Sequence, residues 1–301
     1  MTATDEHKSL QELVANPEFE RRAQRRESWR GFFHAIPAYV YLILFFVLPL
    51  VIVFVFSFAS RGPTGKPILD GWNTDSWTRI TEPLVSTIVT RSLWIAALNT
   101  ILCLFIGYQF AYWIATRAKQ RTRTLLLILV LIPFWSNFLV RTYAWRMLLD
   151  SDGYITQLGE LTGLWGRMLF TVPAVFIGLL YGYLPFMVLP LYAAIERIDW
   201  SLVEAARDLY ASGFKAFLKV TLPLSRPGII AGSILVFIPS LGAYVTPDIL
   251  GGAKTTLLGN FIVTQFGSAR NWPFGSSLSG AILIVMLLAT IVYFRTGGKT
   301  V

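Results

Sequence analysis

Hydrophobic positions fall along this chain in six long runs separated by short polar segments, over residues 36–58, 88–115, 124–147, 170–195, 228–250 and 278–295. A hydrocarbon core about 30 Å thick takes roughly 20 residues of helix to cross, so each run is read as one membrane-spanning helix. The pattern predicts a transmembrane region over 36–295, flanked by polar tails at 1–35 and 296–301, with no soluble domain. The N-terminus is polar for some 30 residues and the run that follows is too long for an h-region, so no cleaved signal peptide is expected.

The polar segments alternate in charge. Lys8, Arg21, Arg22, Arg25, Arg26 and Arg30 precede the first run, and Arg117, Lys119, Arg121 and Arg123 follow the second. Arg197, Arg207, Lys215, Lys219 and Arg226 follow the fourth, and Arg295 and Lys299 end the chain. These segments carry most of the 26 Lys and Arg residues. The positive-inside bias therefore places both termini, and the elbow over 199–227, in the cytoplasm. Trp72, Trp77, Trp165 and Trp272 fall in the opposite loops, as expected of rings that settle at headgroup level.

The runs are interrupted by Pro49, Pro133, Pro173, Pro185, Pro190 and Pro239, each of which removes a backbone donor. Two small-xxx-small patterns, Gly178 to Gly182 and Gly228 to Gly232, invite close helix approach. Pro239 stands ~16 Å from the inner end of its run at 1.5 Å per residue, near the bilayer midplane. Broken helices at that depth line solute paths, which makes Pro239 and Pro185 the hinge candidates.

Composition agrees with a membrane protein: 54% of residues are hydrophobic and 14% charged, against about 25% charged in soluble domains. The net charge of +9 does not point to nucleic acid, because the basic residues cluster beside the spans. Cys103 lies inside a run and His7 and His34 are the only histidines, so no catalytic set, metal site or bound cofactor is expected in this chain. No acid lies deep in a run, which leaves an ion-coupled pump without its carboxylates. Gly62 to Lys66 and Gly251 to Thr255 are glycine-rich but lack phosphate-loop spacing.

The elbow has its own grammar. Ser201-Leu-Val-Glu204 reads as a capping box, with Leu202, Ala205, Ala206 and Leu209 on one face of the helix that follows. Gly213 supplies a left-handed stop, and a second amphipathic piece runs from Phe214 to Leu222 before Pro223 ends it. Lipid is one surface such a helix could lie on, but small residues suit docking against protein better.

This stretch resembles the EAA loop of binding-protein-dependent ABC transporter permeases, whose pattern is EAA, three residues, Gly, nine residues and I-x-L-P. Glu204-Ala205-Ala206 and Leu222-Pro223 occupy those positions, and Tyr210 stands where the pattern has Gly. The stretches from Arg141 to Asp150, Leu250 to Phe261 and Asn271 to Ser277 resemble spermidine/putrescine-type permease subunits. The resemblance implies an all-α, six-helix importer permease of the bacterial inner membrane. It also implies a second related permease, a dimer of ABC ATPase subunits that hydrolyses the ATP, and an external solute-binding protein. Glu204, Ala205, Ala206, Tyr210, Gly213, Leu222 and Pro223 would then form the ATPase-coupling set. The implied cargo is a polyamine; another small organic cation, an opine or an amino-acid derivative is the alternative, and a stand-alone secondary carrier a more distant one. A long cation calls for aromatic faces and sparse acids. Asp248 and Tyr244, with Trp135 and Trp145 after them, are the path candidates, packing or interfacial anchoring being the plainer role for each.

Overall fold

The computed structural model describes residues 35–297, so residues 1–34 and 298–301 of the polar tails lie outside the described residues. Helix α1 (Ala35–Phe56) is a 22-residue apolar rod. Its π-turn at Ile43–Val47 makes the Leu48 amide donate to the Ile43 carbonyl, five residues back. This wider turn directly precedes Pro49, whose ring would otherwise clash with the carbonyl four residues earlier.

The second compact unit begins at Phe56. A short hairpin, β1 (Ser60–Arg61) and β2 (Pro67–Ile68), pairs antiparallel with Ser60 opposite Ile68. After α2 (Asp75–Thr78) come the two long helices α3 (Pro83–Arg117) and α7 (Val172–Glu196), which coincide with the second and fourth apolar runs. Among the described residues, α1, α3 and α7 are each long and apolar enough by themselves to cross a membrane. Pro185 and Pro190 both sit inside α7 without interrupting it.

The third run is not one straight span. It divides into α4 (Gln120–Trp135) and α5 (Phe138–Leu149), and the chain turns by 91° at the break. Ser136 and Asn137 are extended there, and the Asn137 side chain accepts a 2.8 Å hydrogen bond from the Leu139 amide. A polar pair within an apolar run thus ends one helix and caps the next. After α5, helix α6 (Tyr154–Thr162) closes on a left-handed Gly163 before α7 begins.

The elbow comprises α8 (Ser201–Asp208) and α9 (Gly213–Leu224). Helix α10 (Arg226–Leu241) covers only the first part of the fifth predicted run. The chain leaves the helix at Gly242, makes a π-turn at Pro247–Gly251 and a 3-10 turn at Gly252–Thr255, and enters α11 (Leu258–Phe266). Pro247 lacks the amide a continuous helix would need here. The last run becomes α12 (Trp272–Gly297), which begins six residues earlier than its apolar run.

The main core lies where α3, α7 and α10 meet, around Cys103, Ala111, Ile114, Met187, Leu191, Ile195 and Val236. Glycine sets this spacing. A Cβ on Gly107 would stand 3.1 Å from the Met187 side chain, and one on Gly232 would stand 2.7 Å from the Met187 sulfur. Met187 of α7 is therefore seated between a glycine of α3 and a glycine of α10. A Cβ on Gly228 would meet the Pro190 carbonyl oxygen at 2.7 Å and the Ala194 Cβ at 2.5 Å. Both glycines of the second small-residue pattern thus do what the sequence suggests. The first pattern does so only at Gly178, which meets Leu250 and Thr246, since Gly182 has open space around it. Asn99 of α3 donates to Ser240 of α10 at 2.9 Å, a buried interhelical polar contact of the kind worth roughly 0.6 kcal/mol in membrane bundles.

Gly228→Val is expected to force backbone apart and to cost about 1–3 kcal/mol, as overpacking does. Gly182→Ala should be nearly neutral. Thermal unfolding of the detergent-solubilised protein measures both.

Candidate functional site

The elbow is bolted to the bundle at both ends. At its root Ile198 is buried in the main core, and Trp200 packs edge-on to Tyr112 at 6.3 Å between ring centroids. On the return arm Phe217 packs edge-on to Tyr108 at 5.6 Å and to Tyr112 at 5.8 Å. Ser225, fully buried at the exit, shares a 2.9 Å hydrogen bond with the Tyr108 hydroxyl. Tyr108 and Tyr112 lie one turn apart on α3, so a single face of that helix holds both arms. The sequence reading did not select these four aromatic residues or Ser225; the signal available was the i, i+4 tyrosine pair.

The helix start differs from the expected capping box. Trp200 occupies the cap position with no side-chain cap bond, and Ser201 is already the first helical residue. The backbone carbonyls of Asp199 and Trp200 receive the amides of Leu202, Val203 and Glu204. The helix starts one residue early, and Asp199 takes the polar role instead, its carboxylate accepting from the Ser201 amide at 3.0 Å. Hydrogen bonding from the Ser201 side chain, then from its backbone, holds the Asp199 carboxyl below the usual range. This contribution is present above the ordinary carboxylate pKa of about 4 and is lost as pH falls through the lowered value.

The stop is not at Gly213. Tyr210 carries the left-handed conformation, with φ +61°. The Tyr210 amide donates to the Arg207 carbonyl at 2.9 Å and the Ala211 amide to that of Ala206 at 3.1 Å. This pair of bonds is a Schellman closure, with Tyr210 at the position glycine favours. A left-handed residue thus stands where the EAA pattern has glycine, and here it is a tyrosine. Gly213 instead opens α9 in ordinary helical geometry behind Ser212, whose hydroxyl accepts from the Lys215 amide. Nor does Pro223 end that arm. A π-turn at Phe217–Thr221 makes the Leu222 amide donate to the Phe217 carbonyl, which accommodates the proline, and the bend of 65° comes at Ser225.

The face built from Leu202, Ala205, Ala206 and Leu209 is not folded onto the bundle. Val203 is the buried residue of α8, whereas Leu202 is 48% exposed, Leu209 82% and Tyr210 98%. Glu204 and Ala205 are exposed beside them, and Ala206 is half-buried. Leu222 and Pro223 are half-buried against the bundle and belong to the anchor rather than to this open face.

At the other candidate region, Tyr244 and Asp248 lie one turn apart, joined by a 3.0 Å bond from the Asp248 amide to the Tyr244 carbonyl, and both are exposed. Asn260 of α11 donates to the same carbonyl at 2.8 Å. The two tryptophans do not share one environment. Trp135 is largely exposed at the end of α4, whereas Trp145 packs edge-on to Tyr181 of α7 at 5.4 Å and lies against the core cluster of Leu149 and Leu250. Pro239 sits two residues before α10 ends, and its carbonyl accepts from the Tyr183 hydroxyl at 3.2 Å.

Known proteins are similar to this chain in sequence and in architecture. Residues 28–296 match the family described as "Binding-protein-dependent transport system inner membrane component". The spermidine/putrescine transport system permease protein PotB of Escherichia coli (strain K12) is 41% identical over 258 residues, covering 85% of this chain and 93% of that protein. PotB of Haemophilus influenzae is 42% identical over 265 residues, covering 85% and 90%. A crystal structure of a bacterial ABC transporter that imports alginate has a chain of the same fold. Its TM-score is 0.69 at 14% identity, with 92% of this chain and 99% of that one covered. With nearly its whole length matched, the chain belongs to the family of binding-protein-dependent transport system inner membrane components.

Proposed function

We propose that this chain is the transmembrane permease of an ATP-driven importer for spermidine or putrescine, driven through the elbow by a separate ATPase. The observation that carries the coupling is the open face of α8. An apolar strip of small and leucine side chains stands away from the bundle while both ends of its elbow are fixed to α3. A fixed elbow with an uncovered docking face suits the transfer of force from another subunit. Glu204, Ala205, Ala206 and Leu209 would meet the ATPase, with Tyr210 presented at the tip. A dimer of ATPase subunits, a second related permease, an external binding protein and the surrounding lipid complete the assembly. In that assembly the elbow end of the bundle faces the cytoplasm, as do both termini.

The polyamine cargo is supported by the kinship with the two spermidine/putrescine permeases. Asp248 and Tyr244 offer what a flexible polycation needs: a carboxylate and an aromatic face one turn apart. Their position after α10, where the chain has left regular helix, is one where irregular backbone lines a cavity. Pro239 would provide the bend on which that segment swings, while the uninterrupted α7 makes Pro185 the weaker hinge.

Glu204→Lys, or Ala205→Glu, should reduce co-purification with the ATPase more than tenfold and leave membrane insertion intact; unchanged co-purification would remove α8 from the interface. Asp248→Asn should weaken spermidine uptake about fivefold at limiting solute, the equivalent of roughly 1 kcal/mol for an exposed charge pair, without altering ATPase binding. Tyr210→Gly relieves a left-handed side chain worth about 1–2 kcal/mol. Hydrogen exchange at the Tyr210 and Ala211 amides should slow severalfold, whereas Tyr210→Val should speed it.

A further inference from the structure

Where α7 feeds the elbow, a single guanidinium joins three helices. Nη1 of Arg123, in the first turn of α4, donates to Glu196 Oε1 at 2.9 Å. Its Nη2 donates to the Ala115 carbonyl oxygen, in the last turn of α3, at 2.9 Å. The Tyr192 hydroxyl donates to the same Glu196 oxygen at 2.6 Å, and the Arg123 guanidinium lies 6.0 Å from the Tyr192 ring centroid. Glu196 is the last residue of α7, and residues 197–200 alone separate it from the elbow helix α8. The Ala115 carbonyl is one that a helix end leaves without an internal partner. Arg123 therefore ties the foot of α4 to the end of α3 and to the root of the elbow with one side chain.

The pair is half-buried on the arginine side and open to solvent on the glutamate side. The Arg123 side chain is 21% exposed and that of Glu196 44%, and the Arg123 Nε is buried without a hydrogen-bond partner among the described residues. A buried donor left unpaired opposes folding, so the fork is held for its two terminal contacts. Charge-assisted bonds of this kind are shorter and stiffer than neutral ones, and a planar fork reaching two acceptors fixes direction as well as distance.

Helix α4 needs such a tie. None of its residues is buried; Leu126, Leu127 and Val130 lie only partly against the main core. Its far end breaks at Ser136 and turns into α5. Between its foot and α8 lies a cavity of about 550 Å³, lined by Arg123, Glu196 and Thr116 on one side and by Val203, Glu204 and Arg207 on the other. Arg123 and Glu196 thus share the lining of this cavity with the elbow helix.

We propose that Arg123 is a positioning residue of the transport cycle: through Glu196 and Ala115 it carries movement of the elbow root into α4, and through the bend at Asn137 into α5. This rests on the importer reading given above. Without the clasp the elbow still docks and the ATPase still turns over, but α4 no longer follows, so hydrolysis and uptake separate.

The test uses the full complex in proteoliposomes, measuring ATP hydrolysis and spermidine uptake side by side. In Arg123→Gln, hydrolysis should stay within about twofold of wild type while ATP consumed per solute imported rises about tenfold. Arg123→Lys, which keeps the charge but not the two-pronged reach, should fall between. A wild-type ratio in Arg123→Gln overturns the proposal, as does a parallel fall of hydrolysis and uptake at constant ratio, the mark of a purely structural role. If Arg123→Gln does not assemble, Glu196→Gln is read in the same way, and a wild-type ratio there overturns the proposal. A wild-type complex that hydrolyses ATP without importing spermidine sinks the importer reading itself, and the clasp's role with it.

Discussion

The arrangement of this protein depends on how closely three helices can approach one another. Met187 of α7 fits between Gly107 of α3 and Gly232 of α10, and Gly228 brings α10 against the Pro190 carbonyl. Lipid chains are as apolar as leucine, so burial alone gives helices little reason to associate inside a bilayer. Close contact at glycine, with its dispersion and its shape, supplies that reason. Side chains at these positions would spread the helices that hold the elbow.

On that frame the elbow is a rigid attachment with an open face. The aromatic quartet of Tyr108, Tyr112, Trp200 and Phe217 fixes both arms to one side of α3, and Ser225 closes the exit with a hydrogen bond to Tyr108. What remains uncovered is the strip of Leu202, Ala205, Leu209 and Tyr210. An apolar strip on a mobile loop would be a liability, since it could collapse onto its own chain. Held at both ends, it keeps its orientation relative to α3, as the proposed coupling to an ATPase requires.

Polar atoms explain much of the irregularity. Asn137 caps α5 in the middle of an apolar run, and the Asn99–Ser240 contact lies just before α10 ends. Backbone groups have no water to turn to at that depth, so a helix can break only where side chains or neighbouring backbone replace its bonds. The π-turns before Pro49 and Pro223 are another such adjustment: each shifts the preceding bond by one residue and lets the helix pass a proline.

The sequence by itself determined the membrane class, the long α3 and α7, the position of the elbow and its kinship, because apolar run length and motif spacing are local properties. It also marked Gly228 and Gly232 as contact points. The 91° turn inside the third run, the early end of α10, and the displacement of the capping role from Ser201 to Asp199 were not legible in that way. Hydropathy averages over the very polar atoms, Asn137 and Ser240 among them, that decide where a helix can stop. Tyr210 shows the division most clearly. Its side chain argues against a left-handed residue, yet the Schellman bonds to Ala206 and Arg207 hold it there. Only the folded elbow decides that, because the carbonyls at a helix end must find donors and local preference yields to that demand.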